Sequence, residues 1–207
     1  MAGMLFAVTG ANVGTATQSR WANTTSAGTI TTAGGNITAV NINQTQLTGR
    51  WTTFFGNVSS FFALTDGTNT VYSWNATEAG QVCVSTKSSE SFTSGTNIST
   101  SYMDTSFFGG AVTPDNSSAT FTATCPTMVV GSVTMTNFLA AQVAGGTNFR
   151  TCAANTSATN STNSYFFCVN INTAGTNYAG AAADYELLVP VNASASTTTY
   201  YFYAELD

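Results

Sequence analysis

The chain contains no histidine, and only 6% of its residues are charged, against roughly a quarter in an ordinary globular domain. Without His, every Ser-His-Asp or Cys-His nucleophile arrangement is excluded, and the commonest metal ligand and general base are missing. No catalytic residue, metal site or bound cofactor is expected. The four cations, Arg20, Arg50, Lys87 and Arg150, are scattered, whereas a phosphate backbone demands clustered positive charge, so no nucleic-acid partner is expected. Nine acidic residues leave a formal net charge of −5. No stretch approaches the roughly 20 apolar residues of a membrane span, and no fixed-period repeat points to a solenoid or propeller.

What is present is enough for a core. The 207 residues are 43% hydrophobic and 12% aromatic, which argues for one folded domain and against disorder. Because so few charges remain to hydrate the surface, the Asn residues gain weight. Ten of nineteen head an N-x-S/T tripeptide: Asn23, Asn36, Asn43, Asn57, Asn75, Asn97, Asn116, Asn155, Asn160 and Asn192. With sixty Ser or Thr in the chain, chance placement yields about 19 × 60/207, roughly five or six. Covalent N-linked glycans are therefore expected, on an extracellular protein at the cell surface.

The cysteines agree with that compartment. Cys83, Cys125, Cys152 and Cys168 form an even set with no C-x-x-C pair, which reads as two disulfides. Three connectivities are possible. The pairing expected is Cys83 with Cys125 and Cys152 with Cys168, the second closing a loop of about 16 residues worth on the order of 3 kcal/mol.

Short runs with period-two alternation recur every 8 to 12 residues or so after Asn36, the pattern of an all-β sandwich or barrel. Ala119 to Cys125 is the clearest, with Ala119, Phe121, Ala123 and Cys125 on one face and Thr on the other. Further strands are expected at Ile37–Ile42, Val58–Leu64, Val71–Trp74, Val82–Thr86, Val129–Thr136, Tyr165–Ile171, Tyr185–Val191 and Thr198–Leu206. One helix is expected at Phe138–Ala144, with Thr136 or Asn137 as N-cap. The organisation read from this is an N-terminal strand and Thr/Ser/Gly linker over 1–35, and an immunoglobulin-like or jelly-roll-like β-sandwich over 36–207.

The N-terminal strand, Met4, Leu5, Phe6, Ala7, Val8 and Thr9, is separated from the sandwich by about 25 residues of linker chemistry. Left in water it would be an aggregation hazard. It can fold back into its own sheet, or complete the sheet of a neighbouring subunit by strand addition. A short apolar strand, a Thr/Gly linker, a charge-poor β-domain and dense sequons together resemble archaeal extracellular threads and related pili. That resemblance implies donor-strand complementation, with Met4–Thr9 as donor and the sequon Asn residues as glycan sites. It also implies a homopolymer: a non-enzymatic structural subunit of a glycosylated filament, with possible contact to cell-surface glycans. The chain departs from archaellins and type IV pilins because Gly10 and Asn12 interrupt the apolar run too early for their long assembly helix.

Two other classes compete. One is a secreted carbohydrate-binding or adhesive β-module, for which Trp21, Trp51, Trp74, Tyr200, Tyr201 and Tyr203 offer a stacking platform. The other is a capsid or surface-layer subunit with a jelly-roll fold. The carboxylate pairs Asp184/Glu186 and Glu205/Asp207 each share a strand face and read as solvated, and Arg50-Trp51 as a local cation-π contact.

Overall fold

The computed structural model describes residues 8–11, 13–14, 16–18, 31, 33–37, 39–40, 48–59, 61–75, 79–110, 114–144, 149–156, 164–192 and 197–206. In chain order these hold β1 (Thr9–Gly10), β2 (Trp51–Gly56), β3 (Phe61–Thr65), β4 (Thr70–Asn75), β5 (Gly80–Ser85) and β6 (Thr96–Asn97). Two helices follow, α1 (Thr100–Phe108) and α2 (Ser117–Thr120). The rest is again β: β7 (Ala123–Thr124), β8 (Met128–Val130), β9 (Val133–Met135), β10 (Leu139–Gln142), β11 (Arg150–Asn155), β12 (Tyr165–Asn170), β13 (Tyr185–Pro190) and β14 (Tyr201–Leu206).

The molecule is mainly β. Seven strands run antiparallel in the order β1-β14-β5-β12-β11-β10-β7, with β6 added to β11. The central strands β5, β11 and β12 are apolar on both sides because both sheet faces are covered. On one face Val82, Val84, Ala153 and Phe167 pack with Leu187 and Val189 of the β13–β2 pair and with Met103 and Phe107 of α1. On the other, the four cysteines and Phe166 pack with Phe92 and with Met128, Val130, Val133 and Met135 of the β8–β9 hairpin.

Four expectations are corrected. Val129–Thr136 is not one strand but a hairpin, β8 turning back into β9 at Gly131 and Ser132, where Gly131 takes φ 57°. Phe138–Ala144 is not a helix: Leu139–Gln142 is β10, paired with β11 and β7, because the small Ala140 and Ala141 fit at zero exposure inside the sheet. Ala119–Cys125 is not one strand: Asn116 Oδ1 accepts the Ala119 N–H and caps α2, so regular pairing begins only at Ala123. Ile37, at the head of another expected strand, is fully exposed in non-strand backbone, and 41–42 lie outside the described residues. α1 arises where Met103 and Phe107, four apart, both reach the core, and Gly109 closes it at φ 74°.

The cysteine pairing is also corrected. Cys83 bonds Cys168 and Cys125 bonds Cys152. Cys168 stands in register between Cys83 on β5 and Cys152 on β11, so the ladder decides which it meets. The Thr86 N–H donates to the Tyr165 C=O and the Thr156 N–H to the Ser164 C=O. Counting along the registers, Cys83/Cys168 is a non-hydrogen-bonded pair and Cys152/Cys168 a hydrogen-bonded one. Side chains approach more closely in the former, and the Cys83–Cys168 Cα separation is 4.1 Å.

Candidate functional site

The site with most chemistry left open is the flank where β14 of the large sheet adjoins β2, the outer strand of the two-stranded sheet. Phe54 of β2 packs edge-on against Phe202 of β14 at 5.2 Å. β14 presents its outer edge to β1: Thr9 lies opposite Ala204 and Gly10 opposite Tyr203, and the Ala11 N–H donates to the Phe202 C=O at 2.9 Å. Val8 packs on the cluster that holds Cys83 and Tyr203. Thus the C-terminal end of the expected donor strand sits on its own chain's β14, while Met4, Leu5, Phe6 and Ala7 lie outside the described residues.

β2 is different, since among the described residues nothing pairs with its outer edge. The Val191 N–H donates to the Arg50 C=O at 2.7 Å, which sets residues 50, 52, 54 and 56 as the ones hydrogen-bonded to β13. The backbone N–H and C=O of Trp51, Thr53 and Phe55 therefore point away from β13. Two details agree: the Leu188 N–H, opposite Thr53, turns away from β2 to the Thr151 hydroxyl at 2.8 Å, and Pro190, opposite Trp51, has no N–H to lose. Beside this edge runs a groove of about 1340 Å³ lined by Trp51, Phe55, Tyr185 and Glu186 and by Val13, Gly14 and Ala16–Gln18 of the N-terminal segment.

Glu186 stands directly opposite Phe55, whose ring packs edge-on against Tyr178 at 5.7 Å. Burial pushes its carboxyl above the usual range, opposed by the Tyr178 backbone N–H. The expectation of a solvated strand carboxylate is thus wrong for Glu186. It is wrong for Glu205 too, which is buried and accepts the Gly131 N–H at 2.7 Å. Asp184 accepts the Val58 N–H at 2.8 Å, and Asp207 lies outside the described residues.

At the start of β2 a second cluster locks the strand in place. Arg50 pairs with Asp115, Thr48 donates its hydroxyl to the same carboxylate at 2.6 Å, and the Trp51 indole N–H donates to the Asp115 C=O at 2.8 Å. Arg50 lies over the ring of Phe108, not Trp51, at 5.8 Å. Nor do the expected aromatics gather into one platform. Trp51 packs on Phe108 and Phe121, Tyr200 on Phe54 and Phe167, and Tyr203 is buried with its hydroxyl on the Lys87 C=O. Trp74 instead contacts Tyr72 on the β3–β4 hairpin, and Trp21 lies outside the described residues.

Among the sequons, Asn36, Asn57 and Asn97 are exposed, and Asn116 and Asn192 half-buried. Asn155 is only 4% exposed within β11, between β6 and β12, where a sugar has no room. The Asn75 side chain and Asn23, Asn43 and Asn160 lie outside what is described.

Comparison with known protein families, characterised proteins and solved structures finds no match to this chain. The class that fold and site define is a mainly β protein with two disulfides, which fits an oxidising environment. Among the described residues no helix is long and apolar enough to cross a membrane.

Proposed function

We propose that this chain is a structural subunit of a glycosylated extracellular filament, polymerised head-to-tail by insertion of its N-terminal strand, Met4–Thr9, into a neighbouring β-sandwich. The observation that carries the reading is the bare flank. β1 holds its own β14 through two residue pairs, β2 offers an edge with no partner among the described residues, and no described residue of the stretch between β1 and β2 is in a strand. A strand that holds its own β14 through only two residue pairs gives up little when it leaves for the open edge of β2 in a neighbour. Reach allows it. The folded part has a radius of gyration of about 15 Å, whereas 40 extended residues span up to roughly 130 Å. Because donor and acceptor are different surfaces, each subunit receives at one end and gives at the other, and the assembly stays open.

The glycans of this proposal sit on sequons with room for them, Asn36, Asn57 and Asn97 first, and exclude Asn155. They supply the surface hydration that 6% charge does not. An intact mass above 21.4 kDa from the native source is the expected result, and an unmodified mass removes this part.

The test of the whole reading is deletion of residues 1–10 with electron microscopy and size-exclusion chromatography. The full chain forms filaments and the deletion gives folded monomers with both disulfides. A full chain that never leaves the monomer, or a deletion that still polymerises, ends it.

A second reading, a carbohydrate-binding module, is favoured by one observation. Tyr72 and Trp74, 58% and 52% exposed, stand on one face of a hairpin with ring centroids 4.9 Å apart. Trp74→Ala abolishes binding to a glycan array if that reading holds, and leaves filament length unchanged if the first does.

A further inference from the structure

On the face of the large sheet that carries the disulfides, the end rung is polar. Gln81 of β5 lies directly opposite Asn170 of β12 and Glu205 of β14, so the three side chains share that face, one rung beyond Cys83, Cys168 and Tyr203. Gln81/Asn170 is a non-hydrogen-bonded pair like Cys83/Cys168, the type that brings side chains closest. Gln81 is 8% exposed and Glu205 4%. The Gln81 Nε2 donates to Asn170 Oδ1 over a long 3.4 Å, and Gln81 Oε1 is buried with no hydrogen-bond partner among the described residues. Glu205 accepts the Gly131 N–H from the β8–β9 turn. Among the described residues it is the only charged one lining the adjoining cavity of about 530 Å³, together with Thr127, Met128, Val129 and Ile171. An orphaned amide oxygen at this depth is costly, and what satisfies it must be small, because the rung is nearly closed to solvent. Three oxygen-bearing side chains side by side, one of them a carboxylate, with room alongside for water, make the ligand field of a hard cation.

We propose that the rung of Asn170, Gln81 and Glu205 is a calcium site, with Gln81 Oε1, Asn170 Oδ1 and the Glu205 carboxylate as protein ligands. Water in the cavity completes the roughly six to eight oxygens that calcium takes. Calcium suits the rung better than magnesium, which demands a near-ideal octahedron and gives up its water reluctantly. One carboxylate and two amides make a weak site, with Kd on the order of 0.1–1 mM, the range of extracellular modules. The Gly131 N–H orients the carboxylate, as a hydrogen bond to a ligating carboxylate does. The ion ties β12, β5 and β14 together at their ends. Residues 81, 170 and 205 are far apart in sequence, so no local spacing announces the site. It is independent of the filament reading, which concerns the outer edges of β14 and β2.

The test uses thermal melts of the full chain at a concentration where it is monomeric, so that a failure to polymerise leaves the result readable. Calcium at about 10 mM raises Tm by roughly 3–10 °C over EGTA, and magnesium at the same concentration gives a clearly smaller rise. Glu205→Gln, which keeps an acceptor for the Gly131 N–H, and Gln81→Met, which removes the orphaned oxygen at nearly constant volume, each abolish the calcium shift. Asn170→Asp adds a carboxylate at a half-buried position and lowers the calcium needed for half the shift by about tenfold. Should either of the first two variants fail to fold, Asn170→Asp carries the location by itself. A Tm that is the same in calcium and EGTA overturns the site and assigns the Gln81 oxygen to a bridging water. The site is equally overturned by an equal rise with magnesium, by a calcium shift that survives in Glu205→Gln or Gln81→Met, or by one that Asn170→Asp leaves unchanged.

Discussion

Thr9 lies opposite Ala204 in a hydrogen-bonded pair, fixed by the neighbouring Ala11-to-Phe202 bond two residues along the same register. The outward N–H groups of β14 are therefore those of Phe202, Ala204 and Leu206, and Thr9 of β1 stands opposite the second. Thr9→Pro removes the donor aimed at Ala204 and disfavours the extended pairing around it. We expect the Ala204 amide to exchange about tenfold faster in that variant by hydrogen-exchange NMR, with Cys83 and Val84 on β5 unaffected. Unchanged exchange at Ala204 shows that β1 does not cover this edge.

The disulfides close loops of different length, with sequence separations of 85 and 27. In the chain-entropy account Cys83–Cys168 contributes about 4–5 kcal/mol and Cys125–Cys152 about 3–4 kcal/mol. Guanidinium unfolding of C83A/C168A and C125A/C152A should rank them in that order. Peptide mapping without reduction should recover the 83–168 and 125–152 links, and a fragment linking 152 to 168 contradicts the ladder argument.

Much of the fold was legible where the pattern matched the environment. Val82–Thr86, Tyr165–Ile171 and Tyr185–Val191 carry long apolar runs and are the core strands β5, β12 and β13. β11 was not legible: Arg-Thr-Cys-Ala-Ala-Asn neither alternates nor carries large side chains, because it is covered on both faces and needs small ones. β2 was missed for another reason. Trp-Thr-Thr-Phe-Phe-Gly alternates imperfectly, since one side faces the core and the other faces a groove that is itself half apolar. α1 hid behind Ser and Thr, which are indifferent helix formers, and its signals were the Met103/Phe107 spacing and the Gly109-Gly110 stop. At the flank, Met4–Thr9 stood out by composition, but the buried state of Glu186 could not be read locally: its cover comes from Tyr178 and Phe55, far apart in sequence.

Asp115 gives a pH dependence. The Thr48 hydroxyl, with the Arg50 guanidinium, holds its carboxyl below the usual carboxylate range although burial pushes the other way. A depressed native pKa contributes stability that is present above the unfolded value of 3.8 and is lost as pH falls through the native one. Asp115→Asn should therefore cost about 1 kcal/mol in urea at pH 7, discounted because both side chains are partly exposed, and less at the acid end of the same titration. Equal losses at both pH values would sink this account.

Gly80 sits at φ 120°, and a Cβ there would collide with the Glu205 C=O. Gly80→Ala must both adopt a backbone that L-residues avoid and push apart the start of β5 and the end of β14. A loss on the order of 3 kcal/mol is expected by chemical denaturation. Gly109→Ala, also at positive φ but with open space around its Cβ, should cost less.

Thr53→Pro separates the edge of β2 from its fold. The Thr53 N–H points away from β13, so a proline there breaks no ladder bond and occupies a position that edge strands tolerate. Both disulfides, the far-UV spectrum and the Tm within a few degrees should survive. An incoming strand, by contrast, loses a hydrogen-bond donor and meets the pyrrolidine ring at the middle of the edge. Light scattering and electron microscopy should then find a folded protein that no longer extends filaments but still donates its own strand, so that traces of it shorten wild-type polymers. Filaments of wild-type length from Thr53→Pro, alongside none from the 1–10 deletion, would assign acceptance to β14 alone. A misfolded Thr53→Pro would mean that the backbone of Thr52 and Thr53 cannot take the restriction that proline imposes at this edge.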